Sequence, residues 1–171
     1  MAAEPGAGDF AVCSSGGDAG KAIAFGEWLC GDQFTQYQHA FIYAGDGTII
    51  EAAPAGCAER ARTGHAVELW STGIVELTDA ERRTIVAYAR TYIGTGYSWA
   101  DYAAIAAHRL HIPFPHLKAY IASTGHQICS QLVDTCYGDA GVHLFRDGRW
   151  PGLCTPADLA GILLREKGSG L

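Results

Sequence analysis

The segment HAFIYAGDGTIIEAAP, residues 39–54, constrains the fold of this 171-residue chain more than any other stretch. Two apolar runs flank Gly45-Asp46-Gly47. A short run of glycine and aspartate between apolar segments favours a tight β-hairpin. The pattern therefore predicts paired strands at residues 39–44 and 48–52.

The length of that turn decides which side chains share a face of the hairpin. A three-residue turn puts Ala44 opposite Thr48 and Phe41 opposite Glu51, so that Glu51 lies on the same face as His39. A two-residue turn would move Glu51 to the other face, because a shift of one residue reverses the side-chain alternation. The sequence leaves both arrangements open.

The rest of the chain carries signals for further strands and for helices. Strand-like runs occupy residues 10–13, 66–70 and 73–77. Helices are predicted after a cap at Thr78 or Asp79, within residues 101–110, and from Pro156 with Thr155 as cap. A further helix is predicted with Cys129 in its first turn and its end at Gly138 or Gly141. Residues 111–127, interrupted by prolines, form a predicted loop or lid. Together these elements predict one α+β domain over residues 1–171, with an antiparallel sheet packed against helices.

Composition and charge narrow the range of partners. The chain has 12 Lys and Arg against 18 Asp and Glu, a formal charge of -6, and no basic run. Nucleic-acid binding needs clustered positive charge, so we expect no such partner. No segment resembles a signal peptide or a transmembrane helix. We therefore expect a protein without an integral membrane segment that is cytoplasmic or released without a signal peptide.

Six cysteines are spread along the chain, and no two form a C-x-x-C pair. We expect them to be mostly reduced and buried. Cys129 differs from the others, because it follows a glycine-containing turn directly into a helix, where the dipole favours a thiolate. His39, at the start of a strand, is the candidate base, and Glu51 is the candidate group that orients its ring.

Three short blocks, HAFIYAGDGTIIEA, GTGYSW and CSQLV, resemble the NlpC-type papain-like cell-wall peptidases. In ordinary members of that family the cysteine comes first and the histidine strand follows. Here the histidine strand precedes the cysteine, which resembles the circularly permuted branch that includes YiiX-like proteins and, more distantly, lecithin:retinol acyltransferase-like enzymes. The resemblance extends from about Gly8 to about Ala160.

The resemblance implies a permuted papain-like fold and a role for four residues. Cys129 matches the nucleophile, His39 the base and Glu51 the third, orienting residue. Tyr97 of GTGYSW matches a tyrosine that is thought to help bind the oxyanion or the substrate. The oxyanion hole would then use the backbone N–H of Cys129 and the Tyr97 hydroxyl.

The implied reaction is hydrolysis of an amide bond in a peptide or small amide, with peptidoglycan fragments as the leading substrate. Two other functions remain open: an acyltransferase or esterase acting on lipid or acyl esters, and a non-catalytic binding or phage- or virion-associated protein with the same fold. No cofactor is expected. A metal site at His108, His111, His116 and His126 is disfavoured, because prolines 113 and 115 interrupt the helix that would align the ligands. The side chains that could line a substrate groove, or equally pack in the core, are Phe114, Leu117, Tyr120 and Ile121.

Overall fold

A computed structural model describes residues 4–14, 37–62, 68–97, 128–148 and 153–168. Within them lie five strands: β1 (Phe10–Cys13), β2 (His39–Gly45), β3 (Thr48–Ala53), β4 (Gly56–Ala61) and β5 (Glu68–Trp70). Three helices accompany them: α1 (Asp79–Thr91), α2 (Cys129–Asp139) and α3 (Pro156–Gly168). The protein therefore has an α+β fold, as the sequence predicts.

The strands form one sheet in the order β4-β3-β2-β1-β5, and all neighbouring strands are antiparallel. The edge strands β4 and β5 approach each other over one face. Just beyond β4, the Arg62 guanidinium donates to the Glu68 carboxylate of β5 at 2.7 Å, and its carbon lies 5.0 Å from the centre of the Trp70 ring. The sheet is therefore curled, with this face on its concave side.

Side chains alternate between the two faces of the sheet. One face carries Ala40, Ile42 and Ile50 and forms the main core with the buried side of α2, including Leu132 and Val133. Each such buried aliphatic side chain contributes about 1.5–3 kcal/mol relative to an exposed one. Packing of the helix on the sheet therefore fixes the position of α2.

The concave face carries a second, smaller buried cluster. It consists of Ala11, Cys13, Phe41 and Ile49, with the Trp70 ring 5.4 Å from the Phe41 ring in an edge-to-face contact. By strand alternation, His39 and Glu51 also belong to this face. The small side chain of Ala11, which pairs with both Phe41 and Trp70, leaves room for the two rings to meet above it.

The hairpin between β2 and β3 combines features of the two arrangements that the sequence allows. Gly45 pairs with Thr48, so the turn has two residues, Asp46 and Gly47, both with positive φ. The register then shifts between Tyr43 and Gly45, where one extra residue forms a β-bulge. The predicted pairing of Ala44 with Thr48 is therefore wrong.

Beyond the bulge the register is the one predicted for a three-residue turn. Ile42 pairs with Ile50 and Tyr43 with Ile49, which places Phe41 level with Glu51. The bulge restores the alternation that a two-residue turn alone would reverse. Glu51 consequently shares the face of His39.

The helix boundaries follow their capping residues. Thr78 caps α1 through a capping box with Glu81, and Gly94, with a φ of 91°, lies just beyond its end. In α3, the Asp158 N–H donates to the Thr155 hydroxyl at 3.2 Å, and the Thr155 N–H donates to the Asp158 carboxylate at 2.9 Å. Both predicted caps are confirmed.

Helix α2 ends where the sequence offers a glycine. The Val142 N–H donates to the Tyr137 carbonyl, and the Gly141 N–H to the Gly138 carbonyl, both at 2.9 Å. This is a Schellman ending, which requires the positive φ of 82° that Gly141 adopts. Of the two predicted ends, Gly141 is confirmed and Gly138 lies inside the helix.

One strand prediction is wrong and one strand was not predicted. The predicted strand at residues 73–77 is absent: residues 71–75 form a turn, in which Ile74 and Val75 both donate their N–H groups to the Ser71 carbonyl at 2.9 Å and Gly73 has positive φ. Strand β4 is not predicted, since GCAERA lacks the β-branched and aromatic residues that mark strands. The predicted helix at residues 101–110, the loop or lid at 111–127 and the groove and histidines within them lie outside the described residues.

Candidate active site

Cys129 is the first residue of α2, and its side chain belongs to the main core with no exposed surface. Ile128 before it is extended, and its N–H donates to the Gln131 side-chain oxygen at 2.9 Å, which fixes the start of the helix. The N–H groups of a first helical turn have no acceptor within the helix, and they create a positive potential there. The sulfur of Cys129 therefore lies at the positively polarised end of the helix.

His39 is the first residue of β2, and its ring lies close enough to the Cys129 side chain for that thiol to raise the pKa of the histidine. The other side of the ring contacts Glu51, whose Oε2 lies 2.6 Å from Nε2. Because each ring nitrogen serves one partner, Nδ1 is the atom that remains for the sulfur. The imidazole thus joins a thiol to a carboxylate, although the three residues come from three different elements.

The contact between Cys129 and His39 is made at the ends of their elements. Helix α2 packs on the face of β2 that carries Ala40 and Ile42, whereas His39 belongs to the opposite, concave face. As the first residues of helix and strand, the two side chains meet past the end of the strand. This geometry lets one helix support the core and supply the site.

The electrostatic surroundings favour a protonated His39 ring. Burial lowers the pKa of this histidine. Hydrogen-bonding and charge interactions with Cys129 and Glu51 raise it by a larger amount, so that the pKa is about 10 instead of 6.5. The ring is enclosed, with 13% of its side chain exposed. An imidazolium at neutral pH, lying between a carboxylate and the sulfur, is the partner that stabilises a thiolate.

Glu51 lies on β3 and is also largely enclosed, with 13% of its side chain exposed. While Oε2 faces His39, Oε1 lies 3.6 Å from Nε of Arg60 on β4. Arg60 is not among the residues predicted from the sequence, because β4 was not predicted and no face could be assigned to its residues. The adjacent opposite charges of Glu59 and Arg60 are the signal that GCAERA offers.

Cys13, Cys57 and Cys136 differ from Cys129, because no histidine is among the causes that shift their pKa values. Cys13, Cys57 and Cys136 are buried, and burial is the main cause that raises the pKa of each thiol, that of Cys57 to about 11. Five cysteines of the described ranges are free thiols, in agreement with the expectation of reduced side chains. Cys30 lies outside those ranges. Cys129 is the thiol that interacts with the His39 ring.

Tyr97 is partly buried and packs against the main core, the same cluster that contains Cys129. Tyr97 therefore packs on the core that contains Cys129, whereas His39 and Glu51 project to the concave face of the sheet. Its role as a hydrogen-bond donor to an oxyanion stays a prediction. The N–H groups at the start of α2 are the other donors available there.

The described part of the chain contains neither a cluster of metal ligands nor a helix that could span a membrane. No cluster of three or more His, Cys, Asp or Glu side chains there could hold a metal ion. The helices of that part are too short or too polar to cross a membrane. The four histidines of residues 108–126 are not among the described residues.

Comparison of the sequence with models of known protein families and with curated proteins finds no match.

Proposed function

We propose that this protein is a cysteine-dependent hydrolase with a circularly permuted papain-like fold of the NlpC type. The observation that carries the proposal is the His39 ring held between Cys129 and Glu51. An activated cysteine nucleophile needs a base, and the base needs a third group that fixes its ring. The order of the elements, with the histidine strand before the cysteine helix, supports the permuted arrangement.

The reaction follows from the charges of the three groups. The Cys129 thiolate attacks the carbonyl carbon of an amide, a C–S bond forms, and the carbonyl electrons move onto oxygen. The N–H groups of the first turn of α2, together with the Tyr97 hydroxyl, stabilise this oxyanion; one such donor is worth about 3–4 kcal/mol of barrier. The His39 imidazolium then donates its Nδ1 proton to the leaving nitrogen as the C–N bond breaks.

Water completes the cycle. His39, now neutral, removes a proton from a water molecule that attacks the thioester carbonyl. The C–S bond breaks, the acid product leaves, and the thiolate–imidazolium pair is restored. Glu51 stays ionised throughout and keeps the ring oriented. We propose an amide in a peptide or amino-acid derivative as substrate, with peptidoglycan peptides first among the candidates.

A labelling experiment tests whether the site is reactive. Cys129 is fully buried, so a small reagent such as iodoacetamide is used over a time course, with peptide mapping by mass spectrometry. We expect one fast adduct at Cys129, absent in Cys129→Ala and unchanged in Cys136→Ala, the matched control. Slow labelling spread over several cysteines would instead indicate a non-catalytic binding protein.

A substrate panel then tests the chemistry. Cell-wall peptides, aminoacyl amides and acyl esters are incubated with the wild-type protein and with Cys129→Ala. The proposal expects Cys129-dependent release of an amine from one of the amide substrates. Turnover confined to acyl esters, or transfer of the acyl group to an added amine or alcohol in place of water, would favour the acyltransferase or esterase function.

A further inference from the structure

Arg60 lies on the same face of the sheet as the candidate site. It pairs with Ile49 across β3 and β4, while Glu51 pairs with Ala58. Because paired residues share a face and faces alternate, Arg60, Glu51 and His39 all project to the concave side. Arg60 is 43% exposed, and its Nε lies 3.6 Å from Oε1 of Glu51.

The two oxygens of Glu51 consequently face two different cations. Oε2 contacts Nε2 of His39 at 2.6 Å, and Oε1 faces Arg60. A rotation of the carboxylate about its last bond would weaken both contacts at once. The guanidinium therefore restricts the orientation in which Glu51 meets the histidine ring.

No other group competes for Arg60 within the described ranges, where its only ion pair is the one with Glu51. The neighbouring residue on β4 provides a contrast. Glu59, which projects to the other face, forms a two-pronged pair with Arg90 of α1, with both N···O distances at 3.0 Å. That pair joins a helix to the sheet and does not touch His39 or Cys129.

We propose that Arg60 is a positioning residue of the hydrolytic site, which holds the ionised Glu51 carboxylate in the orientation that accepts a hydrogen bond from His39. This inference rests on the proposed function, because it assigns a role in the same reaction. Arg60 acts through Glu51 and is not itself a catalytic residue. It extends the sequence of contacts from the Cys129 sulfur to an arginine on the edge strand.

Several titratable groups interact with the Glu51 carboxylate, and they determine what a pH experiment on this site can report. In the described residues these are His39 on β2, Arg60 and Cys57 on β4, and Cys13 on β1. Among them only Arg60 is a cation over the whole working range of pH. Loss of its charge makes the ionised form of Glu51 less favourable.

The test compares Arg60→Gln and Arg60→Lys with Arg90→Gln in an amide-hydrolysis assay, with Cys129→Ala as the blank. An exposed ion pair is worth up to about 1 kcal/mol, so kcat should fall by about 2- to 5-fold in Arg60→Gln while KM stays unchanged. The acid limb of the pH–rate profile should move to higher pH by up to about half a unit. Arg60→Lys should recover most of the rate, and Arg90→Gln should behave as wild type.

Other outcomes would overturn the inference in distinct ways. A wild-type rate and acid limb in Arg60→Gln would show that Arg60 has no positioning role. A rise in KM at constant kcat would show that it binds substrate instead. If the wild-type protein hydrolyses no substrate faster than Cys129→Ala, the proposed function itself fails, and the role of Arg60 fails with it. Circular dichroism of each variant identifies any loss of folding.

Discussion

Helix α2 carries two cysteines in opposite situations, one at its first position and one in its interior. Cys129 at the first position and Cys136 about two turns later are both fully buried in the main core. Around Cys136, burial raises the pKa of the thiol, and the negative charge of Asp139 raises it further. Cys129 instead lies beside His39, whose raised pKa keeps the imidazole ring protonated at neutral pH.

The difference shows that burial alone does not make a cysteine reactive or inert. The same helix supplies both environments, because its start lies beyond the end of β2 and its middle lies over apolar side chains. A positive helix end and an imidazolium favour the thiolate, whereas an apolar interior favours the neutral thiol. Three substitutions test how much of the contrast comes from each neighbour.

The largest effect is expected from His39→Ala, which should make Cys129 resemble Cys136. Without the imidazolium, thiolate formation at Cys129 becomes unfavourable, and alkylation by iodoacetamide at pH 7 should slow by at least about 100-fold. His143→Ala, which removes an exposed histidine elsewhere, is the matched control. Unchanged labelling in His39→Ala would contradict the contact on which the proposed function depends.

An intermediate effect is expected from Glu51→Gln. A hydrogen bond to a charged group is worth about 1.5–3 kcal/mol, so kcat/KM should fall by about 10- to 100-fold. Because Glu51 raises the pKa of His39, its loss should move the basic limb of the pH–rate profile to lower pH. Glu59→Gln, on the same sheet, is the control and should leave the basic limb of the pH–rate profile at its wild-type position. A basic limb that does not move would mean that Glu51 does not act on the ring.

The same variant should change the pH dependence of stability. The raised pKa of His39 contributes a stabilisation that is complete below pH 6.5 and is lost as the pH rises toward 10. The unfolding free energies of wild type and Glu51→Gln should therefore differ most near pH 6 and converge near pH 10. Urea denaturation at both values measures the difference. A gap that is independent of pH would indicate a loss of packing only.

The smallest effect on the site is expected from Cys136→Ala. Removal of one buried sulfur should lower the free energy of unfolding by about 1 kcal/mol, measured by urea denaturation. Alkylation of Cys129 should keep its wild-type rate, because the sulfur of Cys136 belongs to the interior of the core. If the alkylation rate of Cys129 fell in Cys136→Ala as far as in His39→Ala, the distinction between the two cysteines of the helix would be lost.

Much of the fold could be predicted because its signals are local. The GDG turn, the caps at Thr78 and Thr155 and the glycine at the end of α2 each specify backbone geometry within a few residues. The start of α2 at Cys129 follows from the same kind of signal. The predicted strand at residues 73–77 failed because apolar content alone does not distinguish a strand from a turn that packs against a core.

The unpredicted parts depend on contacts between distant segments. Strand β4 has weak intrinsic preference for extended structure and is held by its pairing with β3. Without that strand, Arg60 could not be assigned to a face. The contact of His39 with Cys129 joins residues far apart in the chain, so the sequence could suggest the pair only through residue type and the family resemblance.

The bulge at residues 43–45 makes the hairpin sensitive to changes in its length. Deleting Ala44 would leave the turn intact but exchange inward and outward positions along one strand relative to the other, carrying Glu51 away from the histidine. Loop engineering at this tip should therefore tolerate insertions in pairs of residues and reject single ones. Whether the number of inserted residues is even or odd, more than which residues they are, limits how this hairpin can be lengthened while the Glu51 carboxylate stays in place.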